Sequence, residues 1–313
     1  MYYPITGNRI DAIDLAKWNL DTSCQLSLLR ADLNHIDLVH QNSKLLTGNK
    51  LYKLKYNIHH IKNNKLIGII TFGGAYSNHL HAVAAAGTIF NFKTIGVVRG
   101  EEWKNKTNPT LNFCISAGME LQYWSRTAYK QKTATTTIVQ LSKEYPKYFM
   151  VPEGGNNYLA LKGTKEILDN TTAQFDIIGV PIGTGGTLSG MYLSKQKKQQ
   201  IIGFASVAMP FEAALNKILT NENAIIKDDV AINYDYTFGG FAKHNQELIA
   251  FINRFKVVYN ILLEPLYTAK MLFGIFKMLE NGNFKGNQKI LAVHTGGLQG
   301  IKGFNQQNEN CLH

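Results

Sequence analysis

Short apolar runs, closed by glycine or polar turns, alternate with stretches of helical spacing along most of the chain. The run at 66–72 (LIGIITF) is apolar on both faces, as a strand buried in a parallel sheet must be, and Gly73-Gly74 ends it. A helix of small residues is predicted over 78–90. Strand 94–98, helix 111–117 stopped by Gly118, strand 120–123, helix 135–145 ending at Pro146 and strand 148–151 follow. A second series runs through helix 159–169, strand 176–180, a glycine loop at 183–186 that opens helix 187–195, and strand 201–207. Helices 211–219, 247–255 and 266–281 come next, then a last strand over 289–294. This alternation predicts an α/β fold of two lobes, each an open twisted, mostly parallel sheet flanked by helices. Because 51–152 carries four strands of its own, we expect a small α/β domain there. The large domain is then 1–50 plus 153–313, with ligands in the cleft between the two, at the carboxyl ends of the strands.

Composition narrows the class. The chain has 313 residues, 45% of them hydrophobic, enough to bury a large core and too many for a disordered chain. No apolar run approaches the ~18 residues of a membrane-spanning helix. The N-terminal residues MYYPITGNRIDAIDL lack the features of a signal peptide. Three scattered cysteines without a CxxC argue against a disulfide framework or a zinc site and fit a reducing, cytoplasmic setting. No metal is expected. A net charge of +11 invites a nucleic-acid reading, but only five of the 33 basic residues are Arg and no nucleic-acid motif accompanies them. A basic surface is the simpler account, with attraction for anionic substrates left open.

Several loops carry chemistry-bearing residues. Gly183-Thr184-Gly185-Gly186-Thr187 sits between strand and helix, where converging N–H groups and a helix N-terminus accommodate a phosphate. Taken alone it reads nearly as well as a tight turn. Ser77 is a natural N-cap for the 78–90 helix, and the same groups can hold a carboxylate. His79 and His81 cannot form an i, i+4 metal pair, and a structural or solvent-facing role is the simpler reading of both. Lys50 follows a Gly-Asn turn; alone it reads as a surface group, but buried beside other cations its pKa would fall and it could act as nucleophile and base.

Five loops in order are more specific than any one. Gly48-Asn49-Lys50 with Lys53-Leu54, Tyr76-Ser77-Asn78-His79, Pro152-Glu153-Gly154-Gly155-Asn156, Gly183-Thr184-Gly185-Gly186-Thr187 and His294-Thr295-Gly296-Gly297 resemble the 1-aminocyclopropane-1-carboxylate (ACC) deaminase / D-cysteine desulfhydrase family. That family belongs to the tryptophan-synthase-β-like, fold type II pyridoxal 5'-phosphate (PLP) enzymes, and the resemblance spans about Arg30 to Phe304. It implies PLP in the cleft, held covalently by Lys50, which also moves protons at the substrate α-carbon. Gly183, Thr184, Gly185, Gly186 and Thr187, helped by Lys53, would hold the phosphate. Asn78 would meet the cofactor's phenolic oxygen. Ser77, with the backbone N–H groups of Asn78 and His79, would receive the substrate carboxylate. Tyr267 matches an active-site tyrosine over the ring, and Thr268 the position facing the pyridine nitrogen. A homodimer is also implied.

The sequence departs from ACC deaminases at two of these positions. They carry Glu where this chain has Thr268, and a second tyrosine where Phe241 aligns in the substrate pocket. A carboxylate keeps the ring nitrogen protonated and makes a strong electron sink; a hydroxyl makes a weaker one. Phe241 lacks a hydroxyl that could assist cyclopropane opening. Tyr52, between the two lysines, replaces a residue that is often Arg. Thr268 and Phe241 favour β-elimination of a readily leaving substituent, with D-cysteine giving pyruvate, sulfide and ammonia as the leading expectation. ACC deamination to 2-oxobutyrate, or PLP and amino-acid binding without turnover, are the alternatives. The partner expected is a small amino acid, with neither nucleic acid nor membrane. Loops 103–108 and 238–244 shape the pocket.

Overall fold

A computed structural model describes residues 4–36, 43–222, 224–309 and 311–312. Two parallel-rich sheets dominate it. The smaller has strands Met119–Trp124, Lys93–Arg99, Gly68–Gly74 and Tyr148–Val151 side by side, all parallel. The larger runs Val230–Asn233, Gln200–Ala205, Ile177–Ile182, Lys289–Val293, Gln25–Leu29, Ile10–Ile13, and only its last pairing is antiparallel. A two-stranded antiparallel ribbon, Ile5–Thr6 with His35–Ile36, stands apart. The expected α/β class, with mostly parallel sheets flanked by helices, is what the chain forms. No helix among the described residues is long and apolar enough to cross a membrane.

Apolar spacing explains most elements. Helices Asn78–Phe90 and Phe211–Leu219 fall where the pattern predicts them. Leu80, Val83 and Ala86 of the first pack with Ile69 and Val98 of the small sheet. Helix Thr268–Glu280 lies against the large sheet, and its Phe276 joins Trp18, Phe251 and Phe255 in an aromatic cluster.

Three differences from the pattern have physical causes. Strand Ile177–Ile182 runs through Pro181, past its predicted end. The neighbouring strand Lys289–Val293 stays in register only as far as Gly179, so it does not need the N–H that Pro181 lacks. Helix Tyr158–Thr164 stops early and gives way to a 3-10 turn, Lys165–Ile167, before Leu168 turns extended. Thr164 Oγ1 there donates to nearby carbonyls, among them Gly186 O of another helix, at 3.1 Å. The long C-terminal helix begins at Thr268 rather than 266, because Glu264 accepts hydrogen bonds from the backbone N–H groups of Leu266, Tyr267 and Thr268.

Helix Asn49–Asn63 has no counterpart in the predicted elements. Leu51, Leu54, Ile58 and Ile61 form its apolar stripe and join the small-sheet core. Its other flank presses on helix Tyr158–Thr164, where Gly163 lies directly against the backbone of Tyr52 and a Cβ would come within 1.9 Å of Tyr52 O. The helix starts at Gly48 (φ +69°), where a Cβ would meet Thr295 O at 2.3 Å, and the next N–H, of Asn49, donates to that carbonyl at 3.0 Å. Only glycine permits so close a docking of this helix start on the loop after the last strand.

Candidate active site

A cleft of about 560 Å³ opens at the carboxyl ends of the strands of both sheets. That size lies within the roughly 300–1,000 Å³ of small-molecule sites. Its lining includes Lys50, Lys53, Ser77, Asn78, His79, Gly183, Thr184, Gly185, Thr187, Phe241 and Tyr267. The fold thus brings together residues from five separate loops.

Lys50 and Lys53 share one face of the first turns of helix Asn49–Asn63. Burial lowers the Lys50 pKa to about 8, partly offset by Glu264. Lys50 Nζ donates to Asn49 Oδ1 at 3.2 Å, and Asn49 Nδ2 donates to Thr187 Oγ1 at 2.9 Å, so the Lys50 amine is tied to the glycine loop through Asn49. Lys53 is 2% exposed. Its Nζ donates to Gly154 O and Asn156 Oδ1, both at 2.8 Å, and to Thr184 Oγ1 at 3.5 Å. All three acceptors are neutral. Burial first and Lys50 second hold the Lys53 pKa well below the usual lysine range.

The helix that follows the glycine loop, Gly186–Ser194, has Gly185 as N-cap in the left-handed region (φ +84°) and no side-chain cap. Its first N–H groups therefore face the cleft with the helix dipole behind them and a lysine alongside. A buried lysine pair with only neutral acceptors, at an uncapped helix start, is chemically suited to a phosphate dianion, whose charge favours the protonated amine. Gly183 provides the room for Tyr267, since a Cβ would come within 2.9 Å of that ring.

Ser77 caps helix Asn78–Phe90: its Oγ accepts from the N–H groups of His79 and Leu80, both at 3.2 Å. The His79 N–H expected to meet a carboxylate is therefore already engaged, whereas the Asn78 N–H expected beside it is not, and it and the Ser77 hydroxyl proton are donors left to the cleft. Asn78 Oδ1 accepts from Gln299 Nε2 at 2.9 Å, which leaves the Asn78 NH₂ as a donor. The His79 side chain is tied to the small sheet. It is buried against Thr71, whose hydroxyl donates to Val151 O at 2.7 Å and so accepts from His79 Nε2 at 2.9 Å. His81 stacks on Phe113, and burial pushes its pKa down to about 4.

Thr268 is fully buried and lies behind the cleft wall; its Oγ1 is 3.3 Å from Thr295 Oγ1, and Thr295 is the member of the pair that lines the cleft. Glu264 stays behind the wall as well, its pKa raised to about 7 because burial outweighs its three N–H partners. Burial also raises the Tyr267 pKa, and Glu264 and Glu153 add to it. Phe241 is 51% exposed at the mouth, its ring centroid 6.2 Å from that of Tyr267. The turn that carries it is anchored by buried Lys270, whose Nζ donates to Thr237 O and Gly240 O, both at 2.8 Å.

Sequence reasoning assigned no role to Asn49, Asn156, Glu264, Thr295 or Gln299. Asn49, Asn156 and Thr295 stand inside the quoted motifs. Glu264 precedes Tyr267 by one helical turn, a capping position visible once that helix start is known.

The model of the pyridoxal-phosphate dependent enzyme family matches residues 40–296. The chain belongs to that family. PLP is thus its cofactor, and the lysine pair and uncapped helix fit it. A putative ACC deaminase of Pyrococcus horikoshii is 28% identical over 267 residues, 81% of each chain. A bifunctional D-cysteine desulfhydrase/ACC deaminase of Arabidopsis thaliana is 25% identical and covers 91% of this chain and 76% of its own. A D-cysteine desulfhydrase of Klebsiella pneumoniae is 25% identical, covering 81% and 83%. Among solved structures, that of an ACC deaminase homologue superposes with a TM-score of 0.80 over 100% of this chain and 95% of its own, at 23% identity. A serine racemase from Dictyostelium discoideum superposes at 0.61, covering 94% and 93%, at 17% identity. The relatives' names are split between two activities on one cofactor.

Proposed function

We propose that this PLP enzyme catalyses β-elimination on a small amino acid, with D-cysteine converted to pyruvate, sulfide and ammonia. The observation that carries the reading is the neutral hydroxyl pair Thr268–Thr295, 3.3 Å apart, in a wall where Glu264 is turned to backbone N–H groups and Asp32 is paired with Arg30. No carboxylate is supplied there to hold a ring nitrogen protonated. Phe241 in turn offers no acid or base at the mouth.

When bound, PLP supplies an electron sink for the charge that develops at the substrate α-carbon. The Ser77 hydroxyl donates to the substrate carboxylate and fixes which face of the α-carbon turns to Lys50. Lys50 Nζ, with its pKa near 8, is neutral in a useful fraction at neutral pH and takes the α-proton. The Cβ–S bond breaks with its electron pair on sulfur. The enamine set free takes up water and yields pyruvate and ammonium. Tyr267, packed on Gly183, covers the site and excludes water while the thiolate leaves.

The ACC deaminase reading is supported by the names of several relatives and by the Tyr267 hydroxyl. Incubating PLP-loaded protein with D-cysteine, L-cysteine and ACC in parallel, and identifying the 2-oxo acid, separates the two. Pyruvate with sulfide from D-cysteine is the expected result, and Thr268→Glu should lower it. 2-Oxobutyrate from ACC would replace our reading with the alternative.

A further inference from the structure

Four of the five arginines have an evident partner. Arg9 pairs with Asp11, Arg30 with Asp11 and Asp32, Arg126 with Glu102, and Arg254 lies 4.0 Å over the ring of Trp18. The Arg99 side chain makes neither ion pair nor hydrogen bond among the described residues, and it lines the cleft. It ends strand Lys93–Arg99, in register with Gly74, three residues before Ser77. A Cβ at Gly74 would lie 3.7 Å from Arg99 Nη2, so the guanidinium leans over the turn that leads to the Ser77 hydroxyl.

Two other charged residues of the cleft lining, Arg126 and Glu153, are paired. Arg126 and Glu102 are 2.5 Å apart; Glu153 accepts from the Tyr129 hydroxyl at 2.9 Å and pairs with Lys132 at 3.2 Å. The two lysines lower in the cleft are accounted for by the cofactor. Among the described residues that line the cleft, Arg99 is then the arginine left without a charged partner, a planar, five-donor cation on the small-sheet rim suited to bidentate recognition of an oxyanion.

We propose that Arg99 recognises a second negative charge on the substrate, so that the preferred class is small amino acids whose β-substituent is itself an oxyanion, such as a phosphate ester or a sulfonated thiol. The inference rests on the elimination reading. The α-proton passes to Lys50, the Cβ–O or Cβ–S bond breaks, and phosphate or thiosulfate leaves with the electron pair. Nothing is oxidised or reduced. Arg99 balances charge on the substituent both before and after the bond breaks.

O-phosphoserine differs from serine, and S-sulfocysteine from cysteine, by an anionic group on the β-substituent, and the change in each ratio between wild type and an Arg99 variant cancels the difference in leaving group. With PLP-loaded wild-type protein, the anionic member of each pair, in one enantiomer, should show at least about tenfold higher kcat/KM. Arg99→Gln should reduce that ratio about tenfold, chiefly through KM, and Arg99→Lys should restore part of it. The preference should also weaken as salt is raised. A ratio unchanged in Arg99→Gln would overturn the proposal, as would an equal loss on both members, which would assign Arg99 to the α-carboxylate they share. Calorimetric binding of both enantiomers of O-phosphoserine and serine gives the same ratio without turnover. If no substrate yields pyruvate, the elimination reading fails while the binding ratio still decides the role of Arg99.

Discussion

Strand Gly68–Gly74 leads through Ser77 into helix Asn78–Phe90, and strand Ile177–Ile182 leads through Gly185 into helix Gly186–Ser194. Both turns line the cleft. In the first, Ser77 Oγ satisfies two N–H groups of its own helix and offers one hydroxyl proton outward. In the second the cap is a glycine, the helix start has no side-chain acceptor, and buried Lys53 stands beside it among neutral oxygens. One turn is electrostatically nearly complete; the other is not. A resident group that must stay bound through every cycle belongs at the incomplete turn, and a substrate that must come and go belongs at the complete one. On this reading the phosphate of PLP sits at the Gly185 turn and the substrate carboxylate at Ser77.

Lys50 lies between the two, and its titration gives the largest expected effect. Uptake of PLP by the apoprotein needs the neutral amine. With the pKa lowered from 10.5 to about 8 by burial, the uptake rate should climb roughly tenfold per pH unit up to about 8 and then level off. The sign follows from the charge: burial disfavours the ammonium, so the neutral form appears at lower pH than in an exposed lysine. Stopped-flow absorbance of PLP uptake between pH 6 and 10 checks it. A rise continuing to 10.5 would mean that Lys50 is not held in a buried site. Lys50→Ala should abolish the borohydride-reducible link to the cofactor at every pH.

The second effect sharpens the contrast itself. Lys53→Met keeps most of the side-chain length but removes the cation from the Gly185 turn. Affinity for PLP should fall roughly 10- to 100-fold, the range expected for hydrogen bonds to a charged group. Affinity for pyridoxal, which lacks the phosphate, should change little, and equilibrium dialysis of both compounds against wild type and variant measures the difference. Equal losses for the two would place the role of Lys53 elsewhere, in bracing Gly154 and Asn156.

How these residues come together was only partly legible in the sequence. The strands and the small-residue helix Asn78–Phe90 announce themselves, because burial on both faces forces continuous apolar runs there. The glycine loops are legible because backbone approach admits few other residues. Helix Asn49–Asn63 hid behind its Lys, Asn and His content, although the spacing of Leu51, Leu54, Ile58 and Ile61 carries its signature. Without that helix, the adjacency of Lys50 and Lys53 on one face could not be seen. The pairing of Thr268 with Thr295 and the freedom of Arg99 depend on which elements meet in space. No local pattern encodes either, since Thr268 and Thr295 stand on separate elements and the Arg99 side chain is distinguished by having no ion pair or hydrogen bond among the described residues.

The smallest effect tests the complete turn. Ser77→Ala removes the acceptor for two N–H groups and the hydroxyl donor together. Loss of an N-cap costs about 1 kcal/mol, so the melting temperature of the apoprotein should drop by a few degrees at most. That cost is common to any capped helix. The Ser77 reading adds a second loss, in KM for the amino acid, of about tenfold, the low end for a hydrogen bond to a charged group. Ser77→Asp separates the two: aspartate caps as well as serine and should recover the melting temperature. Its negative charge would repel a substrate carboxylate and raise KM beyond that of the alanine variant. If Ser77→Asp recovers stability and binds substrate as wild type does, the hydroxyl is only a cap, and the substrate carboxylate must be received by another donor of the cleft, with Arg99 the first to examine.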